Sequence, residues 1–247
     1  MSDSDSDLGM STARDRLRSF DSRHDPRVQQ LLHQETKGYR KASVFIGLLY
    51  SEDRLNVLLT LRSSRLQHHA NTVSFPGGKV DEGDQDEVEA ALREAKEEVG
   101  LEPSNVEVVC TLSPMIASPN FLTVPVVGFI KEQFELKVNE NEVEEVFYLP
   151  LERFNKDEGH SSEVFMRSSS SSPYIIHRFT DTVIGQTMIT WGFTANYCCL
   201  VANIVFNKQG FSYLSQDPVS AKDAYEQTIQ RTQRILHVTK THELAKM

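Results

Sequence analysis

Three cysteines in 247 residues give neither a disulfide framework nor thiolate metal-ligand spacing. Cys198 and Cys199 are adjacent and read as ordinary strand residues in a reducing setting, facing opposite sides of a sheet. No apolar run approaches the roughly 20 residues that a membrane-spanning helix needs. Cations are in deficit: 26 Lys and Arg against 35 Asp and Glu leave a net charge of -9. That balance argues against a general nucleic-acid binder, although it leaves room for a local basic pocket. The eight histidines have no ligand spacing, and His68-His69 reads as loop. Met1 to Met10 is rich in Ser and Asp and has no apolar core of a signal peptide, so residues 1 to 12 are expected to lack structure.

What is present is the composition of a soluble globular protein, with no internal repeat and enough length for one domain over 13–240. A helix is expected near residues 27 to 34. Buried strands follow at 42–50 and 56–62 from their apolar, β-branched content. Further strands are expected at 106–112, 122–130 and 142–149, then a helical turn at 151–155. Residues 161–173, with five serines at 168–172, read as a surface loop. A hairpin over 174–179 and 183–189 is expected next, then helices at 194–206 and 221–238. The mixed order, without a regular βαβ rhythm, fits a mixed sheet between helices.

Residues 86 to 99 carry the strongest helical signal, and Gly100 stands where a C-terminal cap belongs. At roughly 100° per residue, Val88, Leu92, Ala95 and Val99 form one apolar stripe, with Ala91 beside it. Glu87, Glu94 and Glu98 form a second stripe, and Glu97 lies further round. Like charges at these spacings repel by a few tenths of a kcal/mol per exposed pair. Glu97 and Glu98 also sit at the negative end of the helix dipole. A hard divalent cation, Mg²⁺ or Mn²⁺, resolves the conflict, because it takes oxygen ligands and is shared between carboxylates and substrate phosphates.

Gly78 and the run Arg93-Glu94-Ala95-Lys96-Glu97-Glu98-Val99-Gly100-Leu101 resemble the Nudix box. Asp84 stands in place of its first Glu, with one extra residue before the helix. Upstream, Leu58-Leu59-Thr60-x-Arg62-Ser63 and Phe75-Pro76-Gly77-Gly78 resemble the further signature of the coenzyme A diphosphatase branch. That branch expects Arg near Gln67 and Gly near Asn71; Arg65, His68 and His69 lie close by. The similarity runs from about Lys41 to Phe206.

The resemblance implies an α/β fold, the Nudix α/β/α sandwich, with the box as a loop-helix-loop. It implies metal-dependent cleavage of coenzyme A or acyl-CoA to 3′,5′-ADP and 4′-phosphopantetheine or its acyl form. Glu94, Glu98 and Glu97 would be the metal ligands, joined by the Gly78 carbonyl, with Arg93 orienting the carboxylates. A general base is expected outside the box at Glu142 or Glu144. Arg62 and Lys79 would meet phosphates, Arg65 a 3′-phosphate, and Phe75 would stack on a base, line the pocket or belong to the core. Residues 194–196 would border the pantetheine side. Two other readings stay open: ADP-ribose or a dinucleoside polyphosphate as substrate, and a binding module without catalysis. Ala245-Lys246-Met247 resembles a peroxisomal address read by an import receptor, and the branch has peroxisomal members.

Overall fold

The computed structural model describes residues 3–33, 38–117, 120–131, 134–166 and 173–244. Helix α1 (Asp3–Arg18) comes first, in the stretch expected to lack structure to residue 12. Ala13 and Leu17 are buried, Arg14 reaches Glu107 at 3.0 Å, and Arg16 donates to the Val205 carbonyl. Docking of this end of the helix overrides its polar composition. Helix α2 (Pro26–His33) follows.

The strands β1 (Arg40–Ser51), β2 (Arg54–Arg62), β3 (Val73–Ser74), β4 (Gly77–Lys79), β5 (Val106–Thr111), β6 (Met115–Ala117), β7 (Phe121–Ile130) and β8 (Val143–Pro150) form one sheet. Its main order is β3-β2-β1-β7-β5, with β4 on β1, β6 on β7 and β8 on β2. β1 and β7 run parallel and the other pairs antiparallel, so the sheet is mixed. Helix α3 (Glu87–Val99) packs on one face through Ala91, Ala95 and Val99 against Phe45, Leu58 and Val126, with Val88 and Leu92 at the margin. Helices α4 (Gly192–Phe206) and α5 (Ala221–Leu244) cover the other face with α1 and α2. The result is an α/β/α sandwich.

A second sheet joins β9 (His160–Phe165), β10 (Tyr174–Val183) and β11 (Gln186–Trp191) in the order β11-β10-β9. The expected hairpin is there. The expected surface loop is corrected over 161–165: these exposed residues pair with β10 as part of β9. The serine run at 168–172 lies outside the described residues. Cys198 and Cys199 are corrected as well. Both are fully buried in α4, whose residues from Thr194 to Val205 are all buried, so the helix has no solvent face. Burial raises both thiols. Among the described residues no helix is long and apolar enough to cross a membrane.

Candidate functional site

Helix α3 starts where Asp86 accepts hydrogen bonds from the Val88 and Glu89 amides, both at 2.9 Å, and stops at Gly100 in the left-handed conformation (φ 76°). With the apolar stripe fixed on the sheet, Glu94 and Glu98 turn toward strands β4 and β8. Carboxylate oxygens of Glu94, Glu98 and Glu142 all lie within 4.8 Å of one another. Glu142 arrives from the turn before β8, where Asn139 donates to its Oε1 at 3.3 Å. Glu97 is outside this trio; its side chain is 53% exposed and it pairs with Arg93 at 3.2 Å. Glu144 is exposed and accepts the Ser64 amide at 3.3 Å.

The trio is electrostatically costly as it stands. Glu98 is 1% exposed and its Oε2 has no hydrogen-bond partner. Burial pushes its pKa up to about 8; Arg62 opposes the shift, and Glu94 and Glu142 add to it. Burial also raises Glu94, against the pull of Arg93. Arg62 is the nearest cation to Glu98, at 3.6 Å. An orphaned oxygen among three carboxylates fits a hard divalent cation.

Arg93 ties the trio to the loop before the helix. Its Nε and Nη2 donate to Asp84 at 2.9 and 3.0 Å, Nη1 to Glu94 at 3.1 Å, and Nη2 to the Lys79 carbonyl at 3.0 Å. The Asp84 contact raises the guanidinium and lowers the carboxyl. Asp84 Oδ2 also accepts the Asp81 amide at 2.8 Å. Thus the residue replacing the first Glu of the box anchors its arginine. Gly78 leaves the space that Glu94 fills: a Cβ built on Gly78 would collide with the Glu94 carboxylate.

Beside the trio lies a cavity of about 660 Å³. Arg62, Gly77, Gly78 and Lys79 line it, so two residues belong to both places: Gly78 against Glu94, and Arg62 against Glu98. Phe75 also lines it while only 2% exposed, which combines the pocket and core roles. His68, His69, Thr194 and Asn196 contribute to the lining, whereas Arg65 is exposed and does not. Asn71 takes the left-handed backbone (φ 58°). Asn is among the few non-glycine residues that visit this region routinely. Glu97, expected among the metal ligands, lies outside the trio, and Glu142, expected as a general base, lies within it. All three members of the trio were legible in the sequence, Glu94 and Glu98 from the box and Glu142 as one of two candidates for the general base.

The profile of the NUDIX domain family matches residues 39–167, and the chain belongs to that family. It is 40% identical to Nudix hydrolase 15, mitochondrial, from Arabidopsis thaliana, over 68% of this chain and 60% of that protein. It is 38% identical to the mouse (Mus musculus) peroxisomal coenzyme A diphosphatase NUDT7, over 68% of this chain and 71% of that protein. The matched region thus spans three-fifths of the plant relative's length. Among solved structures, a MutT/nudix family protein from Enterococcus faecalis aligns at 20% identity with a TM-score of 0.43, over 69% of this chain and 63% of that one.

Proposed function

We propose that this chain is a Mg²⁺- or Mn²⁺-dependent diphosphatase that cleaves coenzyme A and acyl-CoA to 3′,5′-ADP and (acyl-)4′-phosphopantetheine. The observation that carries the reading is the carboxylate trio Glu94, Glu98 and Glu142, with its orphaned Glu98 Oε2, at the edge of a cavity that Arg62 and Lys79 line. The likeness to a relative named a coenzyme A diphosphatase supports the choice of substrate.

In this reading the trio holds the cation with help from the Gly78 carbonyl. A divalent cation bound there neutralises diphosphate charge and acidifies water. Arg93 fixes Glu94 by hydrogen bonding, and Glu97 closes the cluster on its solvent side. Glu142 takes the proton from the attacking water through the oxygen that Asn139 does not engage. Arg62 and Lys79 bind the phosphates. Arg65, on the loop that carries His68 and His69, meets a 3′-phosphate from outside, and Phe75 forms the wall. The Ala245-Lys246-Met247 address, which lies outside the described residues, would deliver the enzyme to the peroxisome through an import receptor.

The test is coenzyme A hydrolysis with Mg²⁺ or Mn²⁺, wild type beside Glu98→Gln, with products identified by mass. Wild type yields 3′,5′-ADP and 4′-phosphopantetheine, and the variant falls by roughly a hundredfold or more. Cleavage of ADP-ribose with coenzyme A left intact would replace the substrate. A folded wild type without metal-dependent turnover on any diphosphate would leave a binding module.

A further inference from the structure

The roof of the cavity comes from the second sheet and the start of α4. Tyr174, Ile176 and Trp191 line it from β10 and β11, and Phe193 from the helix. Gly192, Thr194 and Asn196 line it as well, so the N-terminal end of α4 opens into the cavity. A helix leaves its first amides without partners of its own, and its dipole makes that end positive. In α3 the Asp86 carboxylate answers this need. In α4 nothing equivalent does: Trp191 stands at the cap without a side-chain hydrogen bond, and the first turn holds no acidic residue. The Thr194 hydroxyl donates instead to the Val73 carbonyl at 3.2 Å.

Two features at this end point to a ligand. Gly192 has φ 59°, and a Cβ built on it would meet nothing within 4 Å, so open space lies against the first amides. A residue of positive φ followed by helical ones directs successive N–H groups to one side, the arrangement of an anion-binding nest. Asn196 is the second feature. It is 7% exposed, yet neither its Nδ2 nor its Oδ1 has a hydrogen-bond partner. Helical side chains lean over the turn N-terminal to their own Cα, which carries Asn196 toward Gly192 and Phe193. The last torsion of an asparagine is soft, so its amide turns readily to a group held there. An unpaired buried amide is costly, and an occupant that pairs both its atoms removes that penalty.

We infer that the N-terminus of α4 and Asn196 form a subsite for a phosphomonoester on a ribose, the phosphate of the substrate that is not cleaved. The inference rests on the diphosphatase reading, which puts the cleaved diphosphate at Arg62 and Lys79. The first amides and the helix dipole attract the anion, and Asn196 Nδ2 adds a donor. A bare anion would leave Oδ1 unpaired. A hydroxyl beside the phosphate donates to it, and a ribose phosphorylated at one of two vicinal hydroxyls supplies both groups. The Thr194 to Val73 bond seats this end of α4 against β3, where the loop that carries Arg65, His68 and His69 ends. Arg65 then meets the same phosphate from the solvent side.

Trp191 is the single tryptophan of the chain and stands at this cap, so its fluorescence reports occupancy without turnover. The experiment titrates the whole protein, stripped of divalent cations, with 3′,5′-ADP, its 2′-deoxy form, AMP and inorganic phosphate. 3′,5′-ADP binds about thirtyfold more tightly than AMP, which lacks the second phosphate, and the 2′-deoxy form lies between them. Asn196→Leu, a change of similar size, narrows the ratio of 3′,5′-ADP to AMP affinity about tenfold. Its thermal midpoint holds or rises, because an apolar group replaces an unpaired amide. An asparagine with a structural role alone would give the reverse, a lower midpoint and an unchanged ratio. Equal affinities of the wild type for 3′,5′-ADP and AMP would overturn the subsite. So would inorganic phosphate that binds as tightly as 3′,5′-ADP. Hydrolysis of coenzyme A alongside either result would leave the diphosphatase reading in place. Selective binding of 3′,5′-ADP, with no hydrolysis of any diphosphate in Mg²⁺ or Mn²⁺, would keep the subsite and refute that reading.

Discussion

Adding one methyl group at Gly78 should separate function from folding. The new Cβ would lie 2.5 Å from Glu94 Cδ and 2.8 Å from Oε2, with Oε1 closer still. All three atoms belong to the end of a flexible side chain, so the collision is relieved by Glu94 swinging aside. An off-rotamer carboxylate costs about 1 kcal/mol, and the 3.1 Å contact with Arg93 is weakened with it. Gly78→Ala should therefore lose about 1–2 kcal/mol of stability. Displacing one member of the trio should weaken metal binding about 10–100-fold. The neighbouring Gly77→Ala is the control. Its Cβ would meet the Ser43 carbonyl at 2.5 Å and Val44 Cα at 2.7 Å, which are backbone atoms of β1 that cannot swing away. That variant should lose several kcal/mol, as expected for overpacking against a rigid neighbour. Chemical denaturation gives the stabilities, and Mn²⁺ titration followed by turnover gives the rest. A Gly78→Ala protein that binds Mn²⁺ like wild type would refute the placement of Glu94 against this backbone.

The second sheet predicts a dependence on acid. His177 Nε2 lies 2.8 Å from the Ser212 carbonyl, which can only accept, so Nε2 carries the proton and Nδ1 accepts from His160 Nε2 at 3.0 Å. Burial lowers both imidazoles, so the unfolded chain takes up protons first as pH falls through the ordinary value of 6.5. Stability should be intact above that pH and fall below it, by at most about 1.4 kcal/mol per pH unit for each histidine. His177→Gln should flatten the slope measured by denaturation at pH 7.5 and 5.5, and an unchanged slope would exclude this pair as its source. Removal of Ala245, Lys246 and Met247 from a fluorescent fusion should abolish a punctate peroxisomal pattern; the same cytosolic signal with and without them would reject the address.

Much of the fold and of the site could be read from residue order, because the governing interactions are local. The α3 stripe announces itself through periodicity, its cap through Gly100, and the strands β1, β2 and β7 through apolar, β-branched content. The failures share the opposite cause. β9 is a strand because β10 pairs with it, and its exposed residues show no alternation. α1 is held by Ala13 and Leu17 against parts of the chain far away in sequence. The helix expected at 194–206 is present as α4, but it is buried all round, so the pattern gave no exposed face by which to take Cys198 and Cys199 out of a strand. Within the site, helix spacing groups Glu97 with Glu94 and Glu98, and the fold adds Glu142, which the sequence named as a candidate base without placing it beside them. Arg65 is near the pocket loop in sequence yet outside the cavity lining. Asp84 shows how an apparent departure can be understood only once its partner, Arg93, is in view.

The carboxylate trio, Arg62 and Arg93 all fall inside residues 39–167, while the roof of the cavity is supplied wholly by residues after that segment. The carboxylate trio and the side of the cavity formed by Tyr174, Ile176, Trp191 and Phe193 thus come from separate stretches of the chain, whereas Arg62, Phe75 and Lys79 line the cavity from the same stretch as the trio. Mutations in the later stretch can reshape what enters the cavity while the acidic cluster stays intact. Substitutions in β10, β11 and the start of α4 thus leave Glu94, Glu98 and Glu142 in place.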